Sequence, residues 1–430
     1  MTTELKKLET RILIFFIFSI PFQTRLIIAG WHSIFNEWTS GFVFGTDILI
    51  MVLLLLWLFR SGRPFYSFRW YDVLLAIFAL ISAVSVFVAI NSPVAWYRLL
   101  LLVQCIALFM YVRGAIGKIV TLPALAWALV ASAVFQAVVG ITQYFLTHSI
   151  GLNILGESYL NLSISRVAVF IADGVKYLRA YGTTPHPNIL ATWLMIGLWS
   201  IWYLWPRAGK YKYVLLSAQV LVLLALVLTY SRTAFAIYCA TFFVVAIVAI
   251  KKRWLQYRWL ILISVFCALA YGVSFQSQLR NRASIDPAEE AVAHRVYYNR
   301  MAGGVVKAHP FLGLGIGQFV PTLMRQLGRP DSYFYQPVHN IYLLISSETG
   351  PPSLVVFLLC VFFVARGLFT RVVESDVRTY CLACLGALLF MGLFDHFLWS
   401  LHVGNLLLWL VLAMAASVNN RGATKVFGVL

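Results

Sequence analysis

Apolar runs of membrane-spanning length recur along this chain from one end to the other. "DILIMVLLLLWLF" (47–59), "SAQVLVLLALVL" (217–228) and "NLLLWLVLAMAAS" (405–417) are the most apolar parts of three of them. A bilayer core takes about 20 apolar residues of helix to cross. Inside it every backbone N–H and C=O must be paired within the segment, which selects helices. Hydrophobic residues make up 61% of the chain and charged residues 11%, and the mean hydropathy is +0.85. A soluble two- or three-domain reading of the 430 residues is therefore excluded. The expectation is an all-α polytopic membrane protein.

Run length places spans near 11–30, 43–59, 72–90, 95–112, 120–146, 188–205, 213–229, 233–250, 258–274, 351–369, 379–394 and 401–418, about twelve in all. The first follows "TTELKKLETR" without a small-residue cleavage site, so it reads as a retained span. Lys and Arg recur in every second connection: Lys6, Lys7 and Arg11; Arg60, Arg63 and Arg69; Arg113 and Lys118; Arg207, Lys210 and Lys212; Lys251, Lys252, Arg253 and Arg258; Arg366, Arg371 and Arg378; and Arg421 and Lys425 in the tail. With both termini cytoplasmic all of these fall inside, as the positive-inside bias requires. Two long connections, about 147–187 and 275–338, then fall on the outer face. The chain divides into helices 1–5 (1–146), a first outer loop (147–187), helices 6–9 (188–274), a second outer loop with the segment that opens at His339 (275–350), and helices 10–12 with a cytoplasmic tail (351–430).

The net charge of +18 is accounted for by this loop bias and by anionic lipid. No basic tract interleaved with aromatics points to nucleic acid. The six cysteines lie inside apolar runs, and Cys381-Leu-Ala-Cys384 lacks flanking ligands, so core packing is expected for it.

In the second loop, Asp286 and Pro287 suit a helix start, Glu289 and Glu290 suit its positive end, and the helix should run to about Ala308. "GLGIG" (313–317) follows no strand and lacks a phosphate-loop lysine, so it reads as a compact turn. Arginines gather on the outer side. Arg179 and Arg295 sit among aromatic and apolar neighbours, Arg232 occupies a short turn between two spans, and Arg300 lies five residues past Arg295. Each is either a solvated or snorkelling side chain or an anion ligand. The guanidinium fork suits phosphate. No acidic cluster or metal motif accompanies them, so no metal site and no cofactor is expected.

His186 ("PHPN") and His309 ("AHPF") precede prolines and fit turns. Asn188 follows at the next helix start, and Asp395 and His396 stand at the outer end of a span. His339 and Asn340 open "HNIYLLISSETGPP". Position alone allows a structural histidine at a helix start. The positive helix end also disfavours imidazolium, which leaves a neutral ring able to take a proton from a hydroxyl. Glu348 falls on the opposite face, nine residues on, and does not orient His339. Residues 339–349 read as a short lead-in helix, with Gly350-Pro351-Pro352 as the hinge to the next span.

"RAYGTTPHPNILA" (179–191), "YSRTAFAIY" (230–238) and "HRVYYNRMAGGVVKAHPFLGLGIGQF" followed by "HNIYLLISSETG" together resemble the O-antigen ligase family. O-antigen polymerases and bacterial O-oligosaccharyltransferases are its relatives. The resemblance implies a multi-span glycosyltransferase of the GT-C-like kind in the bacterial inner membrane. Its site would be periplasmic and independent of metal. It would move a glycan from undecaprenyl diphosphate to a sugar hydroxyl of lipid A–core, in lipopolysaccharide biosynthesis, with inversion. Carried onto this chain, His339 is the general base. Arg179 and Arg295 hold the diphosphate and Arg232 assists, with Asn340, Asn188, His186 and Arg300 in support. A polymerase or a protein O-oligosaccharyltransferase stays open as the alternative acceptor chemistry. A transporter or flippase is the reading from another class. The scarcity of charge within the apolar runs speaks against it.

Overall fold

The computed structural model describes residues 3–59, 68–172, 174–274, 276, 290–328, 334–370 and 373–418. These residues are mostly helical, and six helical stretches are long and apolar enough to cross a membrane. Four shorter apolar helices accompany them.

The N-terminal helix α1 (Thr3–Ser19) is shorter than the expected span 11–30. Pro21 follows it, and residues 25–30 form a strand instead. Strand β1 (Arg25–Gly30) pairs antiparallel with β2 (Ser40–Phe44). "RLIIAG" is apolar enough to count toward a span by hydropathy, yet proline and β-branched residues end the helix and favour the hairpin. Helices α2 (Gly45–Leu58), α3 (Trp70–Ser85), α4 (Ser92–Ala115) and α5 (Leu122–Leu146) follow. Asn91 and Thr121 cap α4 and α5 by accepting from Val94 N and Ala124 N at 3.3 Å, with a proline in each first turn. Arg113 of α4 and Asp72 of α3 form a buried ion pair at 2.6 Å. It fixes these two helices at the end remote from the histidines described below.

The first long connection carries one 3-10 turn (Asn153–Leu155) and a hairpin, β3 (Val169–Ala172) with β4 (Val175–Leu178). Helix α6 (Pro187–Leu204) is the axis of the bundle and packs on α5 and α7 (Lys212–Leu228). Its sequence is apolar all round, which is what a helix surrounded by other helices requires. A Cβ at Gly197 would stand 2.4 Å from that of Ala133, so glycine permits the close α5–α6 approach.

Residues Arg232–Ser274 are helical throughout, but they are two antiparallel arms, α8 (Arg232–Lys251) and α9 (Leu255–Ala270). In one straight helix Phe242 and Tyr257 would be about 22 Å apart. Both rings instead lie against Trp202, at 5.6 and 5.8 Å.

The second long connection contributes α10 (Glu290–Ala308) and α11 (Phe319–Leu327). The expected end at Ala308 is met, while the Asp286–Pro287 start lies outside the described residues. "GLGIG" is a turn, with φ of 61°, 101° and 72° at Gly313, Gly315 and Gly317. Helix α12 (Ile341–Thr349) then breaks at Gly350 into α13 (Pro351–Gly367). Gly350 has φ 87°, and a Cβ there would lie 2.0 Å from the Phe311 carbonyl oxygen. Helices α14 (Ser375–Met391), α15 (Phe397–Ser400) and α16 (His402–Ser417) complete the chain. Cys381 and Cys384 are free thiols buried in α14.

Candidate active site

His339 lies just ahead of α12, whose cap is Asn340. The Asn340 side chain accepts from Tyr342 N at 2.9 Å and Leu343 N at 3.0 Å, an Asx cap that satisfies two of the helix's unpaired N–H groups. The same side chain donates to Leu393 O at 3.2 Å. Ile341 N donates to Gly392 O at 2.8 Å, and Tyr342 Oη to Leu389 O at 2.7 Å. The start of α12 is thereby bolted to the end of α14. That docking sets His339 beside Asp395 and His396, which follow α14.

The His339 and His396 rings meet edge to face, with centroids 4.9 Å apart and planes at 77°. His339 Nδ1 is buried without a hydrogen-bond partner among the described residues. His396 is held on its other sides. Its N–H donates to Asp395 Oδ1 at 2.8 Å, its Nδ1 lies 2.6 Å from Ser400 Oγ, and Trp38 packs edge-on at 5.6 Å. Ser400 Oγ donates to the His396 carbonyl at 3.1 Å. With that hydrogen spent, the Ser400 oxygen accepts from His396 Nδ1–H.

A second line of contacts reaches the cluster from α6. His186 caps that helix, its Nδ1 accepting from Asn188 N at 3.2 Å. Asn188 accepts from Arg179 Nη2 at 3.1 Å and donates to Asp395 Oδ2 at 3.0 Å. Arg179 is buried, and its Nε donates to Thr229 O at 2.7 Å. Tyr230, with a left-handed φ of 49°, turns the chain there between α7 and α8.

Electrostatics follow from this crowding. Burial lowers the His339 pKa to about 3, and His396 and Arg295 push the same way against Asp395. Burial likewise lowers His186 to about 3, reinforced by Arg179, and lowers His396. Burial alone would raise Asp395, but the Asn188 amide, and His396, His339 and His186 once they take a proton, hold its carboxyl below the usual range. The site at neutral pH is thus three neutral imidazoles around one carboxylate, with arginine charge close by.

Arg179, Arg295, His186, Asn188 and His339 are therefore brought to one place. Arg295, half-buried on α10, acts on His339, His396 and His186 through space. Arg300 is exposed and, five residues on, points about 140° away around the helix. Arg232 is exposed at the start of α8. Asp395 and His396, seen in the sequence only as polar residues at a span end, are at the centre. Trp38 and Ser400 had no signal in the sequence. Glu348, turned away from His339 as its position on the helix predicts, accepts from Trp399 Nε1 at 2.9 Å.

The O-antigen ligase family model matches residues 217–358. The matched stretch, which is similar to that family, includes Arg232, Arg295, Arg300, His339 and Asn340. Arg179, His186, Asn188, Asp395 and His396 flank it in sequence and meet it in space. No curated protein matches the chain.

Proposed function

We propose that this protein is a membrane glycosyltransferase that moves a glycan from undecaprenyl diphosphate onto a sugar hydroxyl of lipid A–core, with His339 as general base. The observation that carries the reading is the meeting of His339, Asp395 and the Arg179–Asn188 pair at one point. The family match agrees with ligase or polymerase chemistry.

In this mechanism the neutral His339 ring takes the proton of the acceptor hydroxyl. The oxygen attacks the anomeric carbon as the bond to diphosphate breaks, and a single in-line displacement inverts that centre. Charge grows on the leaving diphosphate as it departs. Arg179 and Arg295 meet it, with Arg232 assisting from the α7–α8 turn. Charge also grows on His339, and the Asp395 carboxylate stabilises that imidazolium through space. Asn188 couples the two halves, holding Arg179 with its oxygen and Asp395 with its nitrogen. Asp395 is the one carboxylate of the cluster and is already engaged by Asn188 and the His396 N–H, so cation duty falls to arginine. His186 and Asn340 act as caps that fix the ends of α6 and α12, and Arg300 is assigned no contact with the diphosphate. The site belongs on the periplasmic face of the inner membrane, with both termini cytoplasmic.

The test is reconstitution. Protein purified in detergent, given undecaprenyl-diphosphate-linked glycan and lipid A–core, makes the joined product without an ion gradient or nucleotide. Product with a second lipid-linked glycan or a protein acceptor instead would identify a polymerase or protein transferase. No product with any acceptor would favour a transporter.

A further inference from the structure

Helix α6 carries a second set of polar groups far from His186. Trp199 lies 13 residues beyond that cap, about 20 Å along the helix. Trp199 Nε1, Trp202 Nε1 and Tyr203 Oη are buried hydrogen-bond donors without a partner among the described residues. Their side chains are only 1%, 4% and 2% exposed. Positions 199, 202 and 203 share one helix face. All three line an open cleft of about 620 Å³ between α6, α8, α9 and α14.

The cleft is not simply apolar. Buried donors are almost always paired, so three of them along one wall call for an occupant with acceptor oxygens. The wall facing them, at Val245, Val248 and Ala249, is hydrocarbon, and the polar side chains of Ser375, Asp376 and Thr379 gather at one end of the cleft. The rim lies at the start of α14, where Thr379 is one turn inside the helix, and Asp376 there is ion-paired with Arg207 at 3.6 Å. The donors therefore stand near a helix end, at the depth where indole and phenol groups meet the polar boundary of a bilayer. Carbonyl acceptors joined to long apolar chains at that depth describe the glycerol ester region of a phospholipid. A polyprenyl chain has no acceptors to offer.

We propose that the cleft between α6, α8, α9 and α14 binds an ester-linked diacyl phospholipid, whose carbonyls accept from Trp199, Trp202 and Tyr203 while its chains lie along α8. This site is separate from the histidine cluster, and its assignment does not depend on the reaction catalysed there.

The experiment uses the full chain, delipidated in detergent. Dioleoylphosphatidylglycerol and its ether-linked dialkyl analogue are titrated separately, with bound lipid counted by native mass spectrometry. The ester lipid should bind at least about tenfold more tightly than the ether, since the ether lacks the carbonyls. The Trp202→Phe/Tyr203→Phe variant should lose that preference while binding the ether lipid as before. Equal affinity of the two lipids for the unaltered protein overturns the proposal without reference to any variant. An ester preference unchanged in the variant, or displacement of the ester lipid by undecaprenol at equal concentration, also overturns it.

Discussion

The rings of His339 and His396 meet edge to face at 4.9 Å, and no hydrogen bond from the described residues reaches His339 Nδ1. The proposed base is therefore oriented by packing rather than by a carboxylate bonded to its ring. Asp395 holds His396 through its backbone N–H and acts on His339 across space. His396→Ala removes the ring on which His339 rests. It should lower kcat by about ten- to a hundredfold, with the donor KM little changed, because a mispositioned base costs rate rather than binding. Steady-state kinetics check this; an unchanged kcat would remove His396 from the site.

Asn188 joins Arg179 to Asp395, accepting at 3.1 Å and donating at 3.0 Å. Asn188→Leu breaks both bonds at similar volume. Transfer should fall about tenfold or more, as expected for hydrogen bonds to charged groups. Asn188→Asp should be worse, since it sets a second carboxylate against Asp395. Initial rates of the three proteins at one pH decide the order.

Arg179 uses its Nε and Nη2 together, on Thr229 O and Asn188. Lysine keeps the charge and loses the fork. Arg179→Lys should raise the donor KM and lower kcat/KM by about ten- to a hundredfold. A donor titration of the variant measures this, and normal kinetics would dissociate Arg179 from the diphosphate.

Burial lowers His186 and His339 from 6.5 to about 3. A histidine held below its unfolded value stabilises the fold fully above about 6.5, and that contribution is lost as pH falls toward the folded value. Both effects point the same way. Thermal stability should decline progressively below pH 6.5, and the acid limb of kcat/KM should lie well below 6.5. An acid limb centred at or above 6.5 in the free enzyme would contradict the buried neutral base.

Gly350 sits at φ 87° with no room for a Cβ beside the Phe311 carbonyl. Gly350→Ala should cost more than about 2 kcal/mol and should move α12, and with it His339. Thermal unfolding reads the first effect and transfer rate the second.

Much of this arrangement was legible along the chain. The lead-in helix 341–349 and its break are written in "ETGPP", because glycine and proline dictate local backbone geometry. The helix end alone predicts a neutral His339, whereas the structure lowers its pKa mainly by burial, which packing sets. What stayed hidden depends on packing between distant segments. Asp395 is 56 positions from His339 and meets it because Asn340, Ile341 and Tyr342 bond the end of α14. Asn188 and Asp395 are 207 positions apart. Hydropathy alone also counted "RLIIAG" into a span, since it measures transfer to an apolar medium and is blind to whether the backbone is helix or hairpin.

The most direct test is transfer by His339→Ala in the reconstituted reaction, with insertion and thermal stability monitored alongside. The account predicts a normally inserted protein whose transfer rate is down by about a hundredfold to ten-thousandfold, the range set by loss of a general base. Transfer at the rate of the unaltered protein would contradict it.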